Sequence, residues 1–218
     1  MRNKLSASAL CLLLVAPTLF ASSVPSMPQP STAMNPQDNA IRSFNDGLRY
    51  RDRAWKAEKE LATTQDPARR QKLSEIIQKS YAADVRSQRA AISDNPKMFQ
   101  AHTELAYALR KTGNYDEALK SYDTALQIMP NYGEAIEYRA EAYLGLNRLD
   151  DTKNSYLMLY NGGAKDLSKQ LGEAMQKWVA DRKADPGTVA ATTIDDFAKW
   201  VSQRSEIAGT AGSGSSWR

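Results

Sequence analysis

The stretch GNYDEAL, residues 113–119, lies between two amphipathic runs near the middle of a 218-residue chain. Its glycine, aromatic and alanine stand at offsets of two and five from one another's start, a pattern that suits a junction between helices. Glycine tolerates the left-handed conformation that ends one helix, and alanine lets the next pack close. A shift of 34 residues tests whether the junction recurs, because a fixed period is the trace a repeat fold leaves in its sequence. Going back by that shift from Tyr115, Ala125 and Pro130 reaches Tyr81, Ala91 and Pro96. Going forward from Ala106, Asn114 and Tyr122 reaches Ala140, Arg148 and Tyr156, with Asn147 in the place of Gly113. Asparagine tolerates a positive φ best after glycine, so the turn survives the exchange. The junction is one copy of a series.

Working outward, the spacing predicts helices over 98–111 and 115–127, joined by TGN and closed by MPN. A second pair spans 133–145 and 149–160, joined by LNR and closed by NGG. Such short linkers make paired helices antiparallel neighbours. Upstream, Ile41, Phe44, Leu48, Trp55 and Leu61 fall near helical spacing, with Gly47 as a weak point, and predict a long helix over 38–62. Asp66 is a natural cap and Pro67 suits a first helical turn, so another helix follows and ends at Asn95-Pro96. Downstream, Leu167, Leu171, Met175, Trp178 and Val179 form an apolar stripe on a helix ending before DPG. A last helix takes Thr193 as cap, answered by Asp196, buries Ile194, Phe197, Trp200 and Val201, and stops at Gly209. No strand pattern interrupts these runs, and the fold class is all-α.

Residues 99–132, FQAHTELAYALRKTGNYDEALKSYDTALQIMPNY, resemble a tetratricopeptide repeat, through Leu105, Ala106, Gly113, Tyr115, Ala118, Tyr122, Ala125 and Pro130. Ala106 and Ala118 are small where the paired helices cross, and Tyr115 and Tyr122 fill the space beside them. Residues 133–166 are a degenerate copy that keeps Ala140, Tyr143 and Tyr156 but has Arg139 for leucine and Thr152 and Leu159 for alanines. The resemblance implies a short helical-repeat solenoid. Because one repeat cannot bury its apolar face alone, the reading adds an N-terminal helical pair over 38–96 and C-terminal capping helices over 167–208, around repeats over 97–166.

The two ends read differently. Residues 1–23 carry Arg2 and Lys4, an apolar run and then small residues, the layout of a secretory signal cut after Ser23. The apolar run is too short to span a bilayer, so no stable membrane insertion is expected. Residues 24–37 hold four prolines and no periodic apolar face, and read as a tether; residues 209–218 read as a flexible tail ending in Trp217 and Arg218. The protein is therefore expected to be exported, into a periplasm. Cys11 is the one cysteine and lies within the signal, so the mature chain would carry no disulfide. The formal charge of +4 gives no case for nucleic acid. Its distribution is uneven: residues 24–90 hold twelve basic and eight acidic side chains, residues 91–166 eight and eleven.

In tetratricopeptide arrays the first helix of each pair lines a concave groove that takes a peptide or a partner helix. The resemblance therefore points to Gln100, Thr103, Tyr107 and Arg110 on one helix and to Glu134, Glu137, Tyr138 and Glu141 on the next. Such a groove would be acidic on one side with tyrosines on its floor, suited to a basic or amphipathic protein segment. The family's carboxylate clamp of lysine, arginine and asparagine is not matched, because Thr103, Tyr107, Glu137 and Glu141 stand in its places. Arg69 and Arg70 read as exposed surface.

Catalysis has little support. His102 is the one histidine and falls on the packing stripe with Leu105, Ala106 and Leu109. Without a cysteine or a second histidine a metal site would rest on carboxylates alone, and no calcium-loop spacing is present. Asp150 and Asp151 read as caps of their helix, and no cofactor is expected. The functional expectation is a non-enzymatic interaction module, an adaptor or assembly factor of the cell envelope. The alternative is a structural protein that associates with itself through apolar surface left by the second repeat or the caps.

Overall fold

Two Asx-Pro pairs start the first two helices. The side chain of Asn35 accepts from the Asp38 amide and that of Asp66 from the Ala68 amide, with proline in the first turn of each helix, where a missing N–H costs nothing. The computed structural model describes residues 35–213, with side chains to residue 204. The expected signal, most of the tether and Trp217 lie outside the described residues. Helix α1 spans Pro36–Thr63 and α2 spans Pro67–Asp94. The shorter helices are α3 (Phe99–Lys111), α4 (Tyr115–Ile128), α5 (Gly133–Gly145) and α6 (Leu149–Asn161). Then come α7 (Lys165–Ala184) and α8 (Ala191–Ser213), and no strand occurs among the described residues. No described helix is long and apolar enough to cross a membrane.

Each helix packs on the next in sequence, and α1, α3, α5 and α7 also touch in series, so the odd-numbered helices form one continuous layer with the even-numbered helices packed against it. The fold is an all-α, tetratricopeptide-like helical repeat. Three of its junctions share one turn. Gly113 and Gly163 have φ of 82°, and Asn147 has φ of 57°. At each, the amide after the left-handed residue reaches back five positions: Asn114 to the Leu109 carbonyl at 2.9 Å, Arg148 to Tyr143 at 2.8 Å, and Ala164 to Leu159 at 2.9 Å. These bonds satisfy carbonyls that the helix end would leave orphaned. Asn147 thus takes the backbone role of Gly113, as its register predicts.

The crossings show how the repeat degrades. Ala106 and Ala118 are fully buried where α3 meets α4, with Tyr122 and Ala125 buried beside them. One period on, Ala140 faces Thr152, and the buried threonine hydroxyl donates to the Arg148 carbonyl at 3.1 Å and leans on Ala140. One period back, the positions of Ala118 and Tyr122 hold Asp84 and Gln88, both fully buried. The small residue of that crossing has moved to the facing helix: a Cβ on Gly47 would lie 2.7 Å from Asp84 Oδ1 and closer still to Gln88 Nε2. Gly47 is therefore a point of close approach rather than a weak point in α1.

Several boundaries differ from expectation. Helix α1 begins at Pro36, inside the stretch read as tether, because Asn35-Pro36 carries the same start signal as Asp66-Pro67. Ile41 is exposed, and the buried line of α1 is made of Ala40, Gly47, Ala54 and Ala57. Helix α8 begins two residues before Thr193, so that threonine is no cap; the Ala190 carbonyl already accepts from Ile194. The same helix runs past Gly209 to Ser213.

Candidate functional site

The groove face was expected on α3 and α5, and its residues fall into three groups. Tyr107, Arg110, Tyr138 and Glu141 meet in one cluster: the Tyr107 and Tyr138 rings lie 5.0 Å apart, the Arg110 guanidinium sits 5.1 Å over Tyr107, and Arg110 is ion-paired with Glu141. Thr103 and Glu137 are buried rather than presented. Thr103 is 1% exposed and its hydroxyl bonds the Phe99 carbonyl one turn back at 2.9 Å, while Glu137 is 2% exposed beside Glu141. Gln100 is half-exposed and Glu134 exposed, at the start of their helices.

Tyr107, expected on an open floor, is only 7% exposed. Helix α1 covers it. Trp55 donates its ring N–H to the Tyr107 hydroxyl at 2.6 Å and meets that ring edge-on at 6.0 Å; Tyr81 of α2 closes the other side at 6.1 Å. Arg51, one turn before Trp55, stacks its guanidinium 4.3 Å over the indole and pairs with Glu104 at 2.6 Å. Tyr81 in turn donates to Glu58 at 3.0 Å, and Lys111 pairs with Glu58 at 2.8 Å. The face is thus a layer of charge pairs laid over a tyrosine-tryptophan core.

Burial governs the protonation of this layer. Glu137 and Glu104 have their pKa raised, first by loss of water; Glu141 adds to the effect at Glu137, and Arg51 opposes it at Glu104. Asp84, on the neighbouring α1–α2 seam, is pushed up to about 7 by burial, against the hydrogen bond from Gln88. Arg110 is held firmly charged by Glu141 despite burial.

Arg51, Trp55, Tyr81 and Glu104 were not foreseen as part of this surface. Glu104 was within reach, because it stands one period before Tyr138. Arg51 and Trp55 gave only a one-turn spacing on a helix whose first-of-pair role was not evident. Elsewhere, His102 is half-exposed with Nε2 2.9 Å from the Pro96 carbonyl. Arg69 forks onto Glu60 at 2.6 and 2.7 Å, and Arg70 donates to the Leu61 and Thr64 carbonyls at the end of α1. Asp150 and Asp151 pair with Lys153 and Arg148 around the first turn of α6. Among the described residues, no group of three or more metal-ligating side chains is found.

The family model for the tetratricopeptide repeat matches residues 99–132, which are α3, the Gly113 turn, α4 and the loop into α5. No curated protein matches the chain. The matched motif is that of a protein–protein interaction module, a class that is generally non-catalytic.

Proposed function

We propose that the chain is an exported adaptor or assembly factor that receives a basic or amphipathic protein segment on the α3–α5 face. One observation carries this reading. The cations of that face are already matched, Arg51 by Glu104 and Arg110 by Glu141, whereas Glu134 stands exposed beside them with no ion pair among the described residues. What remains to meet a partner is acid at the rim, together with the half-exposed ring of Tyr138. Positive charge on the partner complements it, and such complementarity steers encounter and selects partners more than it adds affinity. The tyrosine-tryptophan core beneath supplies a rigid support, because its aromatic groups are locked by Trp55 and Tyr81.

Export rests on the layout of residues 1–23 and places the partner in the cell envelope. Mass measurement of the protein recovered from its cell should find a chain beginning at residue 24; an uncut chain in the cytosol would end that part of the reading. The partner face is tested by a photo-crosslinking residue at Gln100, with another at Arg86 on exposed α2 as reference. A protein captured from Gln100 and not from Arg86, and lost with Glu134→Lys, is the expected result. Equal capture from both positions, or indifference to Glu134→Lys, would remove the face assignment. A product of twice the chain's mass would favour self-association instead.

A further inference from the structure

A cavity of about 440 Å³ opens between α6, α7 and α8, lined by no residue of α3 or α5. That volume falls in the range of roughly 300–1,000 Å³ common for small-molecule sites. Its walls are apolar and aromatic: Tyr156 and Met175 are buried, and Trp200 meets Tyr156 edge-on at 5.5 Å. Tyr160 continues the aromatic wall, stacked on Tyr156 at 6.1 Å with 11° between the planes. Gly172 lies in the wall. A Cβ there would make ordinary contact with Tyr156, so a side chain at this point of α7 would enter the space without disturbing the backbone.

Arg204 gives the cavity a charge. It lines this cavity and a second one of about 70 Å³ beside Tyr160, and its guanidinium sits 5.2 Å over the Trp200 ring. Its Nε is buried among protein atoms without a partner, and no carboxylate pairs with the guanidinium among the described residues, so its remaining N–H groups are the ones left to meet the cavity. A guanidinium at a cavity wall without a carboxylate takes an anionic oxygen as its strongest acceptor. Lys169 and Glu173, one turn apart on α7, bring opposite charges to the lining, so Arg204 leaves it with a net positive charge.

We propose that this cavity binds a small amphipathic carboxylate, its apolar body against Tyr156 and Trp200 and its anionic end on Arg204. The test is titration calorimetry on the intact protein with three probes of one tail length: dodecanoate, dodecanol and dodecylamine. Dodecanoate should bind one to one, and dodecylamine about tenfold or more weakly, the ratio set by one charge-assisted hydrogen bond. Arg204→Gln should bring dodecanoate down to the level of dodecanol and leave dodecanol unchanged. Gly172→Leu should abolish binding of both by filling the space, with helicity and melting temperature retained.

Equal binding of the anionic and cationic probes overturns the proposal, as does full binding by Gly172→Leu or the absence of saturable binding. Dodecanoate binding that appears only after residues 214–218 are removed would assign the cavity to the chain's own end, and a dimer that dodecanoate dissociates would assign it to a second copy. Both outcomes also overturn it.

Discussion

The two ends of this short array are closed in opposite ways. At the N-terminal end, α1 and α2 run side by side for 28 residues each, about 42 Å, with Ala40, Gly47, Ala54 and Ala57 on one side of the seam and Ser80, Asp84, Gln88 and Ala91 on the other. At the C-terminal end, the shorter helices α7 and α8, of 20 and 23 residues, bury Leu171, Met175, Trp178, Ile194, Phe197 and Val201 in one cluster with Tyr156 and Leu159. One end gains its stability from length and close backbone approach, the other from bulk. The N-terminal seam should therefore fail when a side chain is enlarged, and the C-terminal core when one is cut back.

The largest expected effect is at Phe197, which is 1% exposed and meets Trp178 edge-on at 5.2 Å. Phe197→Ala should cost about 3–5 kcal/mol. Hydrogen exchange should show α7 and α8 losing protection before α1 and α2, because terminal units of a stacked array open on their own. Uniform loss along the chain would erase the contrast between the ends.

Next comes Gly47→Ala, expected to cost about 1–3 kcal/mol in thermal or denaturant unfolding although alanine is the better helix former. The cost comes from Asp84 and Gln88, whose ends occupy the space a methyl group would need. Adding Gln88→Ala should recover much of the loss, and a stabilised single variant would show that the seam has slack.

A smaller effect follows from Asp84. Its carboxyl stays neutral in the folded protein up to about 7, against an ordinary value of 3.8, so the unfolded chain releases the proton first as pH rises. Between those values the unfolded state binds fewer protons, and folding stability falls with increasing pH. Asp84→Asn keeps an acceptor for Gln88 and should flatten part of that slope, leaving the variant about 1–2 kcal/mol more stable than the parent above pH 7. Parallel stability curves for the two proteins across this window would contradict the assignment. The exposed fork of Arg69 on Glu60 is the least consequential: Arg69→Ala should change stability by less than about 1 kcal/mol.

Much of the architecture was legible from local rules. The helix starts at Pro67, Tyr115, Gly133 and Leu149 match the capping, turn and period signals, and Asn147 adopts the positive φ its register demands. The start of α8 departs from its local signal, since Thr193 and Asp196 have the spacing of a capping box whether or not the backbone uses it. The face on α3 and α5 was legible only as a set of positions. Helical register says which residues share a side, but not whether another helix lies on top of that side.

What the sequence by itself determined is therefore the repeat: its period, its turns, its alanine crossings and the helical class, all of which arise from contacts a few residues apart. Only the tertiary structure decided that α1 lays Arg51 and Trp55 over Tyr107, that Glu137 is buried, that Gly47 faces Asp84, and that Gly172 lines a cavity beside Arg204. Those depend on side chains brought together from distant helices, and a periodic pattern carries no record of which distant face meets which.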